Sequence, residues 1–292
     1  MKILLTGATG FIGTNFILQL YKKYKIIALV RKSSDVEKIK NYCKIYYYDE
    51  SIDSIENIFE KEKIEGVVHL ATLYISNHDK KDIKPLINSN INFGIFLLEA
   101  MKQNPPLFFV NTLSAFEYAN DNEYSPMNFY AATKHAFYDI TKYYSKILPT
   151  VFVHLLLYDS YGKNDTRNKI FNLWRKNSIN KEVLEMSAGE QQLDITHVND
   201  IINAYDILIA LCYNNKVVGQ RIYNLENSRY TLKELAIIFE KYTNSKLNIK
   251  WGVKPYRDNE IMQPISRKRC KQLYVLPGWN PMITLKEGLN KW

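Results

Sequence analysis

The stretch KILLTGATGFIG, residues 2–13, constrains this chain more than any other. Ile3 to Leu5 form a short apolar run, the chain then passes Gly7, Gly10 and Gly13, and TNFILQLYKKY follows with apolar residues at helical spacing. Strand, glycine turn and helix in that order predict the first unit of a parallel α/β sheet. Glycine at these places lets the backbone turn tightly and approach a pyrophosphate, whose charge then rests on the N–H groups at the helix start. The spacing is Gly-x-x-Gly-x-x-Gly, one residue longer in its first gap than the commoner dinucleotide pattern. A plain strand–turn–helix is the alternative, and the rest of the chain has to decide between them.

A second apolar run, KIIALV, ends at Arg31, Lys32, Ser33 and Ser34. NAD-specific sites usually place an acidic residue there, against the ribose 2′-hydroxyl. A carboxylate would repel a 2′-phosphate, whereas Arg31 can pair with one. The expectation is NADP(H), with NAD(H) as the possible alternative.

Further strand-like runs follow: KIYYY, GVVHLAT, PLFFVNT and TVFVHLLLY. Between them lie helical patterns such as SIENIFEKEK, NINFGIFLLEAMKQN and YAATKHAFYDITKYYSKIL. This alternation predicts an α/β fold, a Rossmann-type doubly wound parallel sheet with ligands at the carboxyl ends of its strands. After about residue 162 the pattern turns irregular, which predicts a smaller C-terminal lobe for substrate. The expected division is a dinucleotide-binding domain of residues 1–162 plus about 194–226, and a substrate lobe of residues 163–193 and 227–292.

The formal charge of +9 suits an anionic ligand, but the basic residues are dispersed and no basic helix or RNA-binding aromatic motif stands out. Nucleic acid is therefore not the expected partner. Cys43, Cys212 and Cys270 are far apart, with no spacing that would hold a metal. They predict reduced thiols and a cytoplasmic protein. No apolar run approaches the roughly 20 residues that span a bilayer, and the start is a poor signal peptide.

The motifs TGATGFIG, GVVHLAT, YAATK, GEQQLDITHVNDIINAY, RDNEI and LPGWNP occur in that order. Together they resemble the extended short-chain dehydrogenase/reductase family of nucleotide-sugar enzymes, over almost the whole chain. Within it the chain looks most like the CDP-abequose synthase-type reductases of nucleoside-diphosphate 4-keto-6-deoxyhexoses. The resemblance implies an acid–base pair of Tyr130 and Lys134. Four-residue spacing puts both on one helix face, where the ammonium can lower the phenol pKa and hold the nicotinamide ribose. It also implies a partner hydroxyl just past FFVNT: Thr112, or Ser114 as the reserve and as a substrate contact.

Carried over position by position, Gly7, Gly10, Phe11, Ile12 and Gly13 match the pyrophosphate loop, and Asp49 and Glu50 the adenine-side pair. Leu70, Ala71 and Thr72 match the segment running past the nicotinamide phosphates. Asn90 matches a brace of the cofactor site, and Arg257 a contact to the sugar nucleotide's diphosphate. Leu156, Lys163 and Leu193 stand where the family often has Arg, Pro and Arg, so a substrate-binding cation is missing at Leu193. His197, in the helix start THVND, reads as structural.

The implied activity is NADPH-dependent reduction of a C4 ketone on a CDP- or dTDP-linked sugar, supplying surface polysaccharide. An NAD-dependent nucleotide-sugar 4-epimerase is the alternative, and a non-catalytic dinucleotide-binding module a more distant one. A homodimer is implied by the resemblance alone.

Overall fold

The computed structural model describes residues 1–119 and 123–290. The first part of the chain runs β1 (Lys2–Thr6), α1 (Phe11–Leu20), β2 (Lys25–Arg31), β3 (Lys44–Tyr48), α2 (Ile52–Glu62), β4 (Gly66–His69), α3 (Ile83–Ile87), α4 (Phe93–Ala100), β5 (Phe108–Ser114), α5 (Phe129–Ile147) and β6 (Val151–Leu157). The rest is β7 (Asp159–Tyr161), α6 (Ile170–Asn180), β8 (Leu184–Glu185), β9 (Gln192–His197), α7 (Val198–Tyr213), β10 (Ile222–Asn224), β11 (Arg229–Thr231), α8 (Leu232–Thr243), β12 (Ile249–Lys250), β13 (Leu273–Val275) and α9 (Leu285–Asn290).

Among the described residues the large sheet has eight strands in the order β13-β10-β6-β5-β4-β1-β2-β3. Its pairings are parallel, with Leu4 opposite Ile27 on one side and Val67 on the other. Strands covered on both faces need side chains that are apolar without alternation, which explains IIALV and FFV. On one face Phe16 and Ile17 of α1 pack with Ile201 and Leu208 of α7. On the other, Phe59 of α2, Leu97 of α4 and Phe137 of α5 form a second buried cluster. From β1 the chain steps outward to β2 and β3, then returns to lay β4, β5 and β6 on the opposite side. That reversal opens a crevice at the carboxyl ends of β1 and β4, where ligands of such sheets bind.

Trp174 and Phe171 of α6 pack with Leu235 and Phe239 of α8 in a separate core. A three-stranded sheet, β11-β9-β7, and the pair β12-β8 belong to this side of the molecule. One part of the expected division differs. β13, within 227–292, returns to the large sheet and pairs with β10, because Leu273 completes a buried cluster with Ile222 and Leu156. Among the described residues no helix is long and apolar enough to cross a membrane.

Candidate active site

Gly7 sits in the left-handed region at φ +69°, and a Cβ there would lie 2.6 Å from the Ala71 nitrogen and from the Leu70 carbonyl carbon. A Cβ on Gly13 would lie 2.2 Å from the Gly7 oxygen. The glycines thus press the turn against the segment after β4, where Ala71 N–H donates to Thr6 Oγ1 at 3.2 Å. Gly10 is the N-cap of α1 and supplies no side-chain cap, so no side chain competes with an anion for the first-turn N–H groups of Phe11, Ile12 and Gly13. This backbone cradle fits a dinucleotide pyrophosphate.

Arg31 ends β2, is exposed, and lines the same cleft with Ser33 and Ser34. Asp49 and Glu50 follow β3 and also line it. Asp49 Oδ1 accepts from the Ser51 N–H at 3.0 Å and from its hydroxyl at 2.8 Å. Hydrogen bonds from Ser54 and Ser51 hold the Asp49 carboxyl down at about 2. Asp49 therefore anchors the start of α2 as well as facing the cleft.

Asn128 caps α5, accepting from the Ala131 N–H at 2.9 Å, and this fixes where Tyr130 and Lys134 emerge. Tyr130, Thr72 and Ser114 line the same stretch of the cleft. Burial pushes the phenol well above its ordinary range and Glu117 adds to this, while the Thr72 and Ser114 hydroxyls pull it back. The lowering expected from Lys134 does not set its state: at neutral pH Tyr130 carries its proton and is equipped to donate it. Burial brings Lys134 down to about 8, against an upward pull from Glu117.

Two residues are bonded otherwise than the sequence predicts. Thr112 Oγ1 is hydrogen-bonded to the Tyr205 hydroxyl of α7 at 2.7 Å, not to Tyr130. Strand alternation is the cause: Phe108 and Val110 face the α1/α7 layer, and Thr112 continues that set. Ser114 lies at the end of β5, where alternation stops, and meets Tyr130. Asn90, taken as a cofactor residue, spends its amide on the protein. Its oxygen accepts from the Thr72 hydroxyl at 3.1 Å and the Leu73 N–H at 2.7 Å, and its nitrogen donates to Leu73 O and Thr133 Oγ1. Asn90 sits in a π-helical turn, Asn88–Asn92, and ties the Thr72 segment to α5.

Beyond Tyr130 the cleft continues into the smaller lobe. Arg257 is exposed on its rim, with Nε 3.9 Å from Glu260. Sequence reasoning missed two basic residues in the loop after β7. Arg167 lies with its guanidinium carbon 4.1 Å from the centre of the Phe11 ring and pairs with Asp165 at 2.8 Å. Lys169 Nζ stands 4.7 Å from the centre of the Tyr74 ring and 3.6 Å from Asp159, and Tyr74 packs edge-on to Tyr130 at 5.0 Å. The signal was the basic run KNDTRNK directly after a strand end, where function gathers.

Leu193 packs against the core of the lobe opposite Tyr230, and Leu156 is fully buried in β6. Lys163 lends its carbonyl oxygen to the Asn15 amide at 3.2 Å, tying the same loop to α1. Asp194, next to Leu193, pairs with Arg229 at 3.3 Å, and burial pushes its carboxyl up to about 7. His197 caps α7 by accepting from the Asn199 N–H at 3.2 Å, a structural role.

The cleft measures about 1780 Å³. A single small-ligand site occupies roughly 300–1,000 Å³, so this space accommodates two extended ligands meeting near Tyr130.

Residues 3–225 match the NAD dependent epimerase/dehydratase family. The CDP-abequose synthase of Salmonella muenchen is 31% identical over 99% of this chain and 96% of its own length. That of Yersinia pseudotuberculosis is 27% identical over 90% and 92%. Among solved structures, the UDP-glucose 4-epimerase of Thermotoga maritima with UDP-glucose superposes with a TM-score of 0.84 at 20% identity, over 100% of this chain and 97% of that one. The UDP-glucuronic acid 4-epimerase of Bacillus cereus, in complex with UDP-glucuronic acid and NAD, gives 0.83 at 21% identity, over 99% and 96%. At these identities the structures establish a shared fold.

Proposed function

The chain belongs to the NAD dependent epimerase/dehydratase family, and on that premise we propose that it reduces the C4 ketone of a nucleoside-diphosphate 4-keto-6-deoxyhexose with NADPH. It is an NAD(P)-dependent enzyme of nucleotide-sugar modification; the direction of the redox step, the preferred dinucleotide and the sugar are our reading. The observation that carries it is that Tyr130, Ser114 and Thr72 line one cleft with the glycine turn that ends at Gly13. Relatives named CDP-abequose synthase support it.

When bound, NADPH would supply a hydride for C4. Tyr130 gives its phenolic proton to the ketone oxygen, which becomes the hydroxyl, and Ser114 orients that oxygen. Lys134 would hold the ribose with its ammonium. Gly7, Gly10, Phe11, Ile12 and Gly13 would cradle the pyrophosphate, with Leu70, Ala71 and Thr72 running past the phosphates on the nicotinamide side. Asp49 and Glu50 would lie on the adenine side, and Arg31 would pair with the 2′-phosphate.

On the substrate side Arg257, Lys169 and Arg167 supply cations for the sugar nucleotide, offsetting the one missing at Leu193. The two cores divide the work accordingly, dinucleotide on the large sheet and sugar nucleotide against the small lobe. Dehydration needs a carboxyl pair directly after the bridging hydroxyl. Ala115 and Phe116 follow Ser114 and carry none.

The test is NADPH oxidation by the purified protein offered CDP-4-keto-6-deoxyglucose or its dTDP counterpart. Stoichiometric oxidation with one of them supports the reductase and names the nucleotide. No oxidation, with NAD retained through purification, selects the 4-epimerase.

Two expected outcomes sharpen this assignment. Ser114→Ala should lower kcat by about 10²-fold or more, the usual loss on removing one hydrogen bond to a reacting oxygen. Thr112→Val should leave kcat nearly unchanged and cost roughly 1–3 kcal/mol of stability by orphaning the buried Tyr205 hydroxyl. The reverse ranking would return the bridging role to Thr112. Separately, Arg31→Ala should weaken NADPH binding by roughly tenfold to a hundredfold, since a charge-assisted hydrogen bond is worth about 1.5–3 kcal/mol. NADH binding should hold. Equal losses for both cofactors would remove Arg31 from the 2′-phosphate.

A further inference from the structure

Behind the reacting hydroxyls, away from the cleft, Glu117 is fully buried. Acidic side chains are almost never fully buried unless paired, so its partners deserve an account. Its Oε1 accepts from the Ser114 N–H at 2.8 Å, and its Oε2 lies 3.1 Å from His135 Nδ1. Ser114 in turn caps the short 3-10 turn Ala115–Glu117, on which Glu117 stands. His135 follows Lys134 directly on α5, and its ring stacks on Tyr124 with centroids 3.8 Å apart, shielding the carboxylate from water. One carboxylate thus joins the end of β5, which carries Ser114, to the helix that carries Tyr130 and Lys134.

We propose that Glu117 is a positioning residue for the reaction: one oxygen fixes Ser114 and the other is held by His135, so that the end of β5 and the helix carrying Tyr130 and Lys134 keep a fixed relation. The proposal rests on the roles given above to those two residues. Its charge acts upward on both, opposing burial at Lys134 and reinforcing it at Tyr130. His135, Tyr130, Lys134 and Tyr138 face it from α5, with Asp139 and Lys142 farther out on the same helix. Tyr118 and Tyr124 face it from the loop after β5. Burial brings Lys134 down to about 8, within reach of a pH titration, so it reports the loss of the carboxylate's charge.

The test is the pH dependence of NADPH affinity, read by cofactor fluorescence, which needs no sugar substrate. In the wild type, affinity is full while Lys134 is protonated and falls as pH rises through its pKa. Glu117→Gln keeps an oxygen for Ser114 but removes the charge, and should move that fall to lower pH by roughly one unit, a tenfold shift in the proton equilibrium. Glu117→Asp, which keeps the charge, should restore the wild-type profile.

Should Glu117→Gln not fold, His135→Phe serves instead. It keeps an aromatic ring for Tyr124 and strips the carboxylate of its partner on α5, and the profile should again depart from that of the wild type. A variant profile superimposable on that of the wild type overturns the proposal and leaves the reductase assignment standing. A wild-type protein that binds no dinucleotide overturns both.

Discussion

Replacing Tyr130 by Phe is expected to lower kcat by roughly 10²–10⁴-fold, the range for loss of a positioned acid in proton transfer, with dinucleotide affinity nearly unchanged. The ring itself has a structural place beside Leu86 and Ala131, and phenylalanine keeps that packing and the edge contact with Tyr74. The hydroxyl alone is lost, and its partners Thr72 and Ser114 line an open cleft where water can replace it. Stability should therefore change little while turnover collapses. Single-turnover oxidation of NADPH, compared with thermal unfolding of the same preparation, separates the two. If Tyr130→Phe turns over at the wild-type rate, the phenol is not the acid, and the proton reaches the ketone oxygen from another group or from water.

What could be read from the sequence was local. Gly7, Gly10 and Gly13 announce a phosphate turn because only a few residues on either side decide whether the backbone can adopt it. Tyr130 and Lys134 share a helix face for the same reason. The choice between Thr112 and Ser114 was not local. Both lie past the apolar core of β5, and which hydroxyl meets Tyr130 depends on where the strand stops alternating and the 3-10 turn begins. Thr112 is claimed by Tyr205, 93 positions later in the chain, and no spacing rule announces that bond.

Asn90 was legible as a brace but not in its partners, since a π-helical turn shifts its side chain relative to a regular helix. Arg167 and Lys169 stand in a loop whose path is set by distant contacts, such as that of Asn15 with the Lys163 carbonyl. β13 is three residues long and owes its place to the edge of β10, so its own sequence carries little strand signal.

Gly13→Ala should be the most damaging single change in the dinucleotide half, and Gly10→Ala is its natural control. A methyl at Gly13 would stand 2.2 Å from the Gly7 oxygen and 2.8 Å from the Ala8 Cα, and both are backbone atoms that cannot rotate away. At Gly10 the nearest atom is the Gly7 oxygen at 3.2 Å, a contact relieved by a few tenths of an ångström. Relief at Gly13 requires the turn to swing away from α1, which separates the N–H groups that would share the pyrophosphate. Overpacking of this kind costs about 1–3 kcal/mol, or a Tm lower by roughly 2–5 °C in a chain of this size. Dinucleotide affinity should fall further, by about a hundredfold or more, because several charge-assisted hydrogen bonds lose their geometry together. Gly10→Ala should bind within about tenfold of wild type, consistent with the loss of less than one such bond. Fluorescence titration with NADPH and thermal unfolding with and without it measure both terms. Equal affinities for the two variants would mean that the turn yields where the structure is tightest, and that the pyrophosphate is held elsewhere than at the start of α1.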